Sequence, residues 1–530
     1  AAHAGDDAGA GAGSVVSDAG GPGMNAVLED GPEPVYRSSL ATLLAGHAAP
    51  GRDVEILDLT QDSREATPGC AFIACRGRST HGLAHAAAAV EKGAVAVLWD
   101  PSEGVEAPSL PPHVVCVEVP GLAAAAGAIA ARFFGEPSQE IEVAGITGTN
   151  GKTTTAYLLA QAADAVGRRG AYLGTLGFGR VGDLGQAGLT TPDVVNVHRR
   201  IAEARDRGAK TLAMEVSSHA LDQQRVAAVR FGTAVFTNLS RDHLDYHGTL
   251  ESYQQAKARL FASTGLRRAV INVRDPFGRA LVEQLDDSVE TVLYSSSNEL
   301  WLPRSAGWIR LPELRATSVG LSLHIESSWG AGTLRSPLIG EFNAENLLAV
   351  LGVLLGWGVP MQKALVALAS CVAPPGRMEA FGGGAQPLVL VDYAHTPDAL
   401  AKALDAARSH TRGRLHCVFG CGGERDPGKR PQMGAIAESL ADTVVVTDDN
   451  PRGENSLAII EQVLAGMRDA SAARVLPDRA TAIHQAVIEA EAGDVVLVAG
   501  KGHEQYQLVG REARPFSDRK VVLDALGVEG

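Results

Sequence analysis

The chain has 530 residues, of which 45% are hydrophobic and 20% are charged, and its formal net charge is -14. This length predicts about three domains of ordinary size, and the composition is typical of a globular protein with a sizeable core. The acidic balance argues against nucleic acid and against a membrane surface as the main partner, because both require a basic face.

The N-terminal segment has no pattern that predicts structure or export. Residues 1–23 are rich in Ala, Gly and Asp and lack the basic start and apolar core of a signal peptide, so we expect a disordered tail. Six cysteines occur without a CxxC pair, which favours reduced thiols and a cytoplasmic location. The longest apolar stretch, from Leu347 to about Met361, is too short to span a bilayer and is predicted to be a core helix.

Apolar runs separated by helical segments recur along the rest of the chain. The runs at 95–99 and 114–119 predict strands, and an Ala-rich segment at 83–91 predicts a helix. Later runs end in polar loops, which indicates buried parallel strands of an α/β fold with sites at the carboxyl ends of the strands. Two compositional breaks predict three domains, over residues 24–137, 138–372 and 373–530.

A glycine-rich segment between a predicted strand and a predicted helix has the character of a phosphate-binding loop. Its glycines allow backbone N–H groups to approach phosphate oxygens, and the helix N-terminus adds a favourable dipole. Lys152 is placed to reach the β- and γ-phosphates, and the Thr153 hydroxyl suits Mg²⁺. The strict Walker spacing is not met, because Gly145 leaves five residues before the Gly-Lys pair and Gly148 leaves two. A glycine-rich turn with a chance Gly-Lys-Thr sequence therefore remains an alternative.

Other polar residues allow more than one interpretation from the sequence alone. Glu215 ends an apolar strand and is either a Mg²⁺ ligand or a capping carboxylate. Residues 242–247 read DHLDYH, which fits a zinc site or a polar loop. Lys257 has the pattern of an exposed helical lysine, and Asn343 and Asn346 stand where polar residues commonly open a helix.

Ten motifs, spread over nearly all of residues 60–510, resemble those of the Mur ligases and, at the phosphate loop, those of the related folylpolyglutamate synthases. The motifs are TGTNGKTTT (147–155), MEVSSHALDQQRV (214–226), TNLSRDHLDYHGT (237–249), YQQAKARLF (253–261), GEFNAENLLA (340–349), PGRME (375–379), VDYAHTPDAL (391–400), GCGGERDPGKRP (420–431), DDNPR (448–452) and GKGHE (500–504). The resemblance implies an N-terminal UDP-binding domain, a central P-loop-type ATPase domain and a C-terminal Rossmann-like domain that binds an amino acid. It also implies an ATP-dependent amide ligase of peptidoglycan precursor synthesis that works through an acyl phosphate.

The resemblance assigns roles in catalysis and ATP binding. The implied catalytic residues are Lys152, Glu215, His243 and Lys257. The implied Mg²⁺ ligands are Thr153, Glu215, His243 and Lys257, the last as N6-carboxylysine, a carbamate. The implied ATP contacts are Gly148, Thr149, Asn150, Gly151, Lys152, Thr153, Thr154, Asn343, Asn346, Arg377, Asp392 and His395.

Two further substrate sites follow from the same resemblance. The implied contacts to UDP-N-acetylmuramoyl-L-alanyl-D-glutamate are Gln61, Ser63, Arg78, Ser79, Thr80, Thr190, Thr191, Ser217, Gln223 and Arg225. The DNPR sequence resembles the members that add meso-diaminopimelate, whereas lysine-adding relatives differ there. The implied diaminopimelate contacts are Arg425, Asp449, Asn450, Pro451, Arg452, Gly500 and Glu504. Locally, Asn450-Pro451 is also compatible with a simple turn.

Two alternative functions remain at this stage. A folylpolyglutamate synthase would share the phosphate loop, but the DNPR and GERDPGKRP loops and the additional N-terminal domain argue against it. A catalytically inactive muropeptide-binding protein would not need to retain Lys152, Glu215, His243 and Lys257. We further expect a monomer without nucleic-acid or membrane partners.

Overall fold

The computed structural model describes residues 36–77, 80–101, 105–185, 188–303, 306–317 and 319–528 and has sheets of four, eleven and six strands with helices packed between them. The predicted α/β class is therefore confirmed. The predicted tail at 1–23 and the candidate residues Arg78 and Ser79 lie outside the described residues. Within the described ranges, no helix combines the length and apolar character needed to cross a membrane.

The N-terminal part contains a four-stranded parallel sheet and a short antiparallel strand pair. Its strands are β1 (Ser38–Ser39), β2 (Glu55–Ile56), β3 (Asp58–Thr60), β4 (Cys70–Ala74), β5 (Ala96–Trp99) and β6 (Val115–Glu118), and its helices are α1 (Leu40–Leu43), α2 (Ala86–Glu91) and α3 (Leu122–Phe133). The parallel sheet has the order β3-β4-β5-β6. Every residue of β4 is buried, as expected for a strand covered on both faces. The predicted helix at 83–91 begins only at Ala86, after a 3-10 turn at Gly82–His85.

The central part is an eleven-stranded sheet that is parallel in its middle and antiparallel at both ends. Its strands are β7 (Glu142–Thr147), β8 (Gly170–Gly174), β9 (Gly177–Arg180), β10 (Asp183–Leu184), β11 (Thr211–Glu215), β12 (Thr233–Phe236), β13 (Arg268–Asn272), β14 (Glu290–Ser295), β15 (Gly307–Thr317), β16 (Gly320–Ser327) and β17 (Gly330–Ser336). The order is β10-β9-β8-β11-β7-β12-β13-β14-β15-β16-β17. In this register Ile146 of β7 lies opposite Glu215 of β11, so Glu215 is placed beside the start of the glycine-rich loop.

Helices cover both faces of this sheet and enclose two separate hydrophobic cores. They are α4 (Lys152–Ala165), α5 (Val194–Asp206), α6 (Ser218–Asp222), α7 (Leu244–His247), α8 (Leu250–Ala258), α9 (Pro276–Gln284), α10 (Phe342–Gly356) and α11 (Met361–Ala369). The predicted core helix at 347–361 is correct in its burial but wrong in its end. Helix α10 stops at Gly356, Gly358 has φ = +79°, and Pro360 precedes a new helix, so the apolar stretch contains a turn.

The C-terminal part is a six-stranded sheet with a small hairpin beside it. Its strands are β18 (Glu379–Gly382), β19 (Leu388–Asp392), β20 (Leu415–Phe419), β21 (Thr443–Val446), β22 (Arg474–Val475), β23 (Val495–Ala499), β24 (Tyr506–Val509) and β25 (Glu512–Pro515). Its helices are α12 (Pro397–His410), α13 (Lys429–Leu440), α14 (Ser456–Leu464), α15 (Arg479–Glu489) and α16 (Asp518–Leu526). The order β18-β19-β23-β20-β21-β22 has strands from distant parts of the chain side by side. The loops that follow the carboxyl ends of its parallel strands lie at the edge of the sheet where ligands commonly bind in such folds.

A fully buried ion pair fixes the starts of α15 and α16. Arg479 and Asp518 are joined by two hydrogen bonds of 2.7 Å, and neither side chain is exposed to solvent. The guanidinium also donates to the carbonyl oxygens of Asp448 at 3.2 Å and Ala499 at 3.0 Å, which lie just after β21 and at the end of β23. The pair therefore ties together the loops at the carboxyl ends of two strands.

Removal of the acidic partner should destabilise the C-terminal part strongly. In Asp518→Ala a buried guanidinium would lose its counter-ion, a change that typically costs about 3–5 kcal/mol. The free energy of unfolding from chemical denaturation should fall by that amount. Glu512→Ala, which breaks an exposed ion pair with Arg514 in the same part of the chain, is the matched control and should have little effect. A small change in Asp518→Ala would contradict the role assigned to the pair.

Candidate functional site

The glycine-rich loop at 148–151 joins β7 to α4 and packs tightly against two neighbouring segments. Gly148 has φ = +153°, and a Cβ atom there would lie 1.9 Å from Thr237 Oγ1. Gly151 has φ = +84°, and a Cβ atom there would lie 2.4 Å from Asn346 Oδ1. Both positions require glycine, because any side chain would displace the loop from its supports. The structure thus disfavours the alternative of an incidental turn.

Two lysine side chains converge on the carbonyl oxygen of Gly148. Lys152 Nζ donates to this oxygen and to Thr149 O, both at 2.9 Å, and Lys257 Nζ donates to the Gly148 oxygen at 2.7 Å. Lys257 is only 1% exposed. Burial, together with the nearby charge of Lys152, lowers the pKa of Lys257 well below its usual range. The alternative that Lys257 is an ordinary exposed helical lysine is wrong.

Glu215 is buried beside the loop and is held on both oxygens. Its Oε2 accepts a hydrogen bond from Thr153 Oγ1 at 2.8 Å, and its Oε1 accepts from Thr175 N at 2.9 Å and from the Tyr172 hydroxyl. A carboxylate and a hydroxyl oxygen are thus adjacent at the start of α4. These are hard oxygen donors of the kind that Mg²⁺ prefers, and Mg²⁺ retains waters in its remaining positions.

Histidine and tyrosine rings pack against one another beside Lys257. His243, in a left-handed conformation with φ = +53°, has its ring centroid 4.9 Å from that of His219 and its Nε2 3.5 Å from Asp242 Oδ2. Burial lowers the pKa of both His219 and His247, which favours their neutral forms near pH 7. Among the described residues, no group of three or more His, Cys, Asp or Glu is arranged to hold a metal ion, so the zinc alternative for 242–247 finds no support there.

These groups line one cavity of about 470 Å³. The predicted residues that line it are Thr149, Asn150, Gly151, Lys152, Thr153, Thr154, Thr190, Thr191, Glu215, Ser217, Arg225, His243, Lys257 and Arg377. The lining residues that the sequence analysis missed are Thr175, Leu189, Ser218, His219 and Tyr253. The sequence analysis quoted the motifs of Ser218, His219 and Tyr253 without assigning these residues a role, whereas Thr175 lies in no motif and is recognisable only from its contact with Glu215.

Arg377 is the residue through which the C-terminal part reaches this cavity. Its guanidinium carbon lies 4.9 Å from the centroid of the Tyr393 ring, and its Nε is buried without a hydrogen-bond partner among the described residues. An arginine donor that is desolvated but unpaired is well suited to an anionic ligand. Predicted residues 149–154 and Arg377 of the PGRME motif therefore line the same cavity.

Two other residues of the predicted nucleotide group lie apart from the cavity lining. The carboxylate of Asp392 accepts hydrogen bonds from Met378 N at 2.8 Å and Ala394 N at 2.9 Å, and burial raises its pKa. Asp392 thus fixes the loop that carries Arg377. His395 is exposed, and its Nδ1 bonds Tyr393 O at 2.8 Å. Direct contact of Asp392 and His395 with a nucleotide stays a prediction.

Asn343 and Asn346 support the loop from beneath rather than lining the cavity. Asn343 Nδ2 donates to Ile339 O, and Asn346 Nδ2 donates to Asn343 Oδ1, both at 2.8 Å. Asn346 Oδ1 accepts from Thr155 Oγ1 at 3.1 Å. Because both asparagines are buried, at 1% and 5% exposure, they are not simply exposed residues that open a helix.

The predicted contacts to a UDP-sugar peptide fall in two places. Thr190, Thr191, Ser217 and Arg225 line the cavity, and Arg225 Nη1 donates to Thr191 O at 3.0 Å. The side chain of Gln223 bonds both Arg225 and Tyr246. The remaining described candidates lie in the loops that follow β3 and β4 and are Gln61, Ser63 and Thr80. Gln61 Nε2 donates to Cys75 Sγ at 3.3 Å.

A second cluster of predicted residues lies in the loops after β20, β21 and β23. Asn450 is 4% exposed, and its Nδ2 donates to Glu504 Oε2 at 3.0 Å, so it is more than a turn residue. Arg452, at φ = +51°, donates from Nη1 to Gly423 O at 2.8 Å. A Cβ atom on Gly423 would lie 1.9 Å from Pro451 O, which explains why the two loops can pack together.

The cluster combines buried and exposed charges. Burial raises the pKa of Asp449, an effect that the charges of Arg479 and Lys501 oppose. A Cβ atom on Gly500 would lie 2.5 Å from Asp449 Oδ2, so only glycine permits this approach. Arg425 is exposed. The cluster brings cationic and anionic groups together, as a zwitterionic ligand requires.

Three family models match the chain along most of its length. They are the Mur ligase family catalytic domain over residues 55–134, the Mur ligase middle domain over 146–354 and the Mur ligase glutamate ligase domain over 376–502. These matches agree with the predicted order of an N-terminal, a central and a C-terminal domain.

Similar proteins and structures carry one recurring name. Proteins from Chromobacterium violaceum and Pseudomonas aeruginosa, each named UDP-N-acetylmuramoyl-L-alanyl-D-glutamate–2,6-diaminopimelate ligase, are both 50% identical to this chain, over 88% of it and 94% of their own length. A solved structure with the same name has a TM-score of 0.66 and 33% identity, and the match covers 89% of this chain and 95% of that one.

Proposed function

Because this chain belongs to the Mur ligase family, we propose that it joins meso-2,6-diaminopimelate to UDP-N-acetylmuramoyl-L-alanyl-D-glutamate, with ATP converted to ADP and phosphate. The observation that carries the proposal is the convergence of Lys152, Lys257, Glu215 and Arg377 on one cavity. Such a ligation must bring a carboxylate against a γ-phosphate, and two anions approach one another only where cations stand between them. The identity of the substrates is inferred from the names of the relatives and from the DNPR loop.

We assign one task to each part of the chain. Residues 24–137 would bind the UDP moiety, residues 138–372 would bind ATP and the peptide carboxylate, and residues 373–530 would bind the amino acid. The gaps between the matched family regions, at 135–145 and 355–375, support these boundaries. ATP and a nucleotide-linked substrate are consistent with the cytoplasm as the site of action.

The proposed reaction has two steps. A carboxylate oxygen of the peptide bonds to the γ-phosphorus while the bond from that phosphorus to the β,γ-bridging oxygen breaks, which releases ADP and leaves an acyl phosphate. The deprotonated amine of diaminopimelate then attacks the acyl carbon, and phosphate leaves as the amide forms. Lys152 would exchange its two loop carbonyls for phosphate oxygens, and Arg377 would add a second cation from the C-terminal part.

A Mg²⁺ ion fits the donors at the start of α4. The Thr153 hydroxyl and the Glu215 carboxylate lie 2.8 Å apart and line the cavity together with His243. These residues would hold the ion, which when bound would neutralise charge on the phosphates. Few protein ligands are needed, because Mg²⁺ keeps several of its waters.

Lys257 is proposed to act as a carbamate. The ammonium group must first lose a proton, and the neutral amine then reacts with CO₂ to form a carbamate and releases a second proton. A cation is thereby replaced by an anion with two oxygen donors. The lowered pKa of Lys257 favours the neutral amine that this reaction requires. As a carbamate it would relieve the repulsion of Lys152 and contribute oxygen atoms to metal binding.

The phosphate role of Lys152 can be tested by its removal. Lys152→Ala should lose about 3–4 kcal/mol of transition-state stabilisation, or roughly 10²–10³-fold in kcat/KM, as is typical for a group that contacts developing charge. Phosphate release and product formation give the measurement. Lys363→Ala is a matched control, because Lys363 donates to Val166 O in the same part of the chain and does not line the cavity. Near-normal ligation by Lys152→Ala would reject the ATP-site assignment.

The carbamate makes a separate prediction. Lys257→Ala should be nearly inactive, and short carboxylic acids such as acetate should partly restore it by occupying the vacated space. Wild-type protein in ¹³C-bicarbonate should show a carbamate NMR signal that Lys257→Ala lacks. Because the pKa of Lys257 is lowered, its neutral amine persists to lower pH than that of an exposed lysine. The carbamate should therefore be lost only as the pH falls through that lowered pKa. Full activity of Lys257→Ala without added acid would exclude this role.

The amino-acid assignment is tested by a substrate panel. Diaminopimelate carries one more carboxylate than lysine, and Arg452 and Arg425 offer planar forks for it. With purified protein and UDP-muramoyl-dipeptide, diaminopimelate should be used far more efficiently than lysine, and Arg452→Ala should narrow that preference. Arg514→Ala, at an exposed pair outside the cluster, is the control. Equal use of lysine, an unchanged preference in Arg452→Ala, or phosphate release stimulated only by folate would overturn the proposal.

A further inference from the structure

Lys501 is a fully buried lysine that the proposed reaction does not use. Its side chain is 0% exposed and follows β23, between Gly500 and Gly502, which both have positive φ angles. A buried ammonium group is costly unless it is paired and hydrogen-bonded. Here Nζ donates to Asn450 Oδ1 at 2.9 Å and to Glu504 Oε2 at 2.8 Å. Both partners belong to the proposed diaminopimelate site.

These bonds fix the orientation of the two partners. Asn450 Oδ1 accepts from Lys501 Nζ and from Leu508 N at 2.9 Å, so its Nδ2 is left to donate to Glu504 Oε2 at 3.0 Å. Glu504 Oε2 therefore accepts two hydrogen bonds, whereas its Oε1 accepts none from the described residues. One oxygen is held by the protein and the other remains for a ligand.

The charge of Lys501 also keeps the site anionic. Burial raises the pKa of Glu504, but the hydrogen bonds from Lys501 and Asn450 outweigh this effect, and the pKa lies below its usual range. The side chain of Glu504 remains 20% exposed, in contrast to that of Lys501. A ligand ammonium group could therefore reach the carboxylate while Lys501 stays beneath it.

We propose that Lys501 is a positioning residue, which holds Glu504 and Asn450 in the arrangement that binds the amino-acid head of diaminopimelate remote from the reacting amine. This inference rests on the proposed function. Lys501 does not touch the substrate. It acts through Glu504, whose free oxygen would receive the ammonium group. The lysine is thereby a determinant of amino-acid affinity and specificity rather than of phosphoryl transfer.

The first test separates amino-acid binding from catalysis. Lys501→Met retains the apolar stem but removes the charge and both hydrogen bonds. The KM for diaminopimelate should rise at least about tenfold, while kcat at saturating diaminopimelate and the KM for ATP stay within about threefold of wild type. Lys402→Met, which removes an exposed lysine–carboxylate pair with Asp398 in the same part of the chain, should change none of these values. An unchanged KM for diaminopimelate in folded Lys501→Met overturns the inference.

The second test asks whether Lys501 acts through Glu504. If it does, the effects of Lys501→Met and Glu504→Gln on the KM for diaminopimelate should be strongly non-additive in the double variant. Additive effects overturn the inference. If Glu504→Gln raises this KM and Lys501→Met does not, only the inference fails. If Glu504→Gln leaves it unchanged, the assignment of Glu504 and with it the inference fail, whereas failure of the wild-type protein to use diaminopimelate rejects the proposed function itself.

A second substitution at the same position keeps the inference testable if Lys501→Met does not fold. Lys501→Gln keeps a donor toward Glu504 but removes the charge, and circular dichroism and thermal unfolding identify which variants are folded. In folded Lys501→Gln the KM for diaminopimelate should rise by about fivefold or more and should rise further as the pH is lowered, because Glu504 without a buried cation beside it protonates more readily. A wild-type KM and pH profile in this variant would overturn the inference.

Discussion

The carbonyl oxygen of Gly148 accepts hydrogen bonds from the side chains of Lys152 and Lys257, and the rest of the central site depends on this close approach of two lysines. Lys152 and Lys257 repel one another while both are cations, and their burial strengthens that repulsion. The arrangement has low free energy only when anions enter the cavity or when Lys257 ceases to be a cation. The loop comes this close to its neighbours because Gly148 and Gly151 carry no side chain that would meet Thr237 and Asn346. The close approach of the two lysines thus follows from a backbone conformation that only glycine permits, and it makes the cavity well suited to anions.

Two further charged side chains face the same cavity, Glu215 from the central part and Arg377 from the C-terminal part of the molecule. Glu215 accepts its hydrogen bonds from the neutral donors Thr153, Tyr172 and Thr175 and forms no direct ion pair with another described residue. Arg377 enters from the C-terminal part with a desolvated Nε, and Asp392 secures its loop through backbone N–H groups rather than by pairing with the arginine. The charged groups that would face substrate therefore do not form ion pairs with one another, and they remain available for ligands of opposite sign.

Much of this could be predicted from the sequence, because apolar runs that end in polar loops define parallel strands and their functional ends. The phosphate loop, the Mur ligase relationship and the order of the domains follow from such local patterns. What local patterns could not provide was long-range packing. Lys257 has the spacing of an exposed helical residue, and only the approach of Gly148 buries it. Likewise, the contact of Thr175 with Glu215 depends on the pairing of separate strands. The turn after Gly356 could not be recognised because it lies within a long apolar stretch.

Buried charge pairs also explain how the loops after β20, β21 and β23 keep their arrangement. Arg479, fixed by Asp518, bonds carbonyl oxygens after β21 and at the end of β23, so the DNPR and GKGHE loops share one rigid support. Lys501 then orients the side chains that these loops carry. Apolar side chains could fill the same volume without the desolvation free energy that buried charges cost. They would not, however, fix the direction of each polar side chain. Two amino acids that differ by one carboxylate can be told apart only by groups held in fixed positions, since mobile charges would reorganise around either ligand.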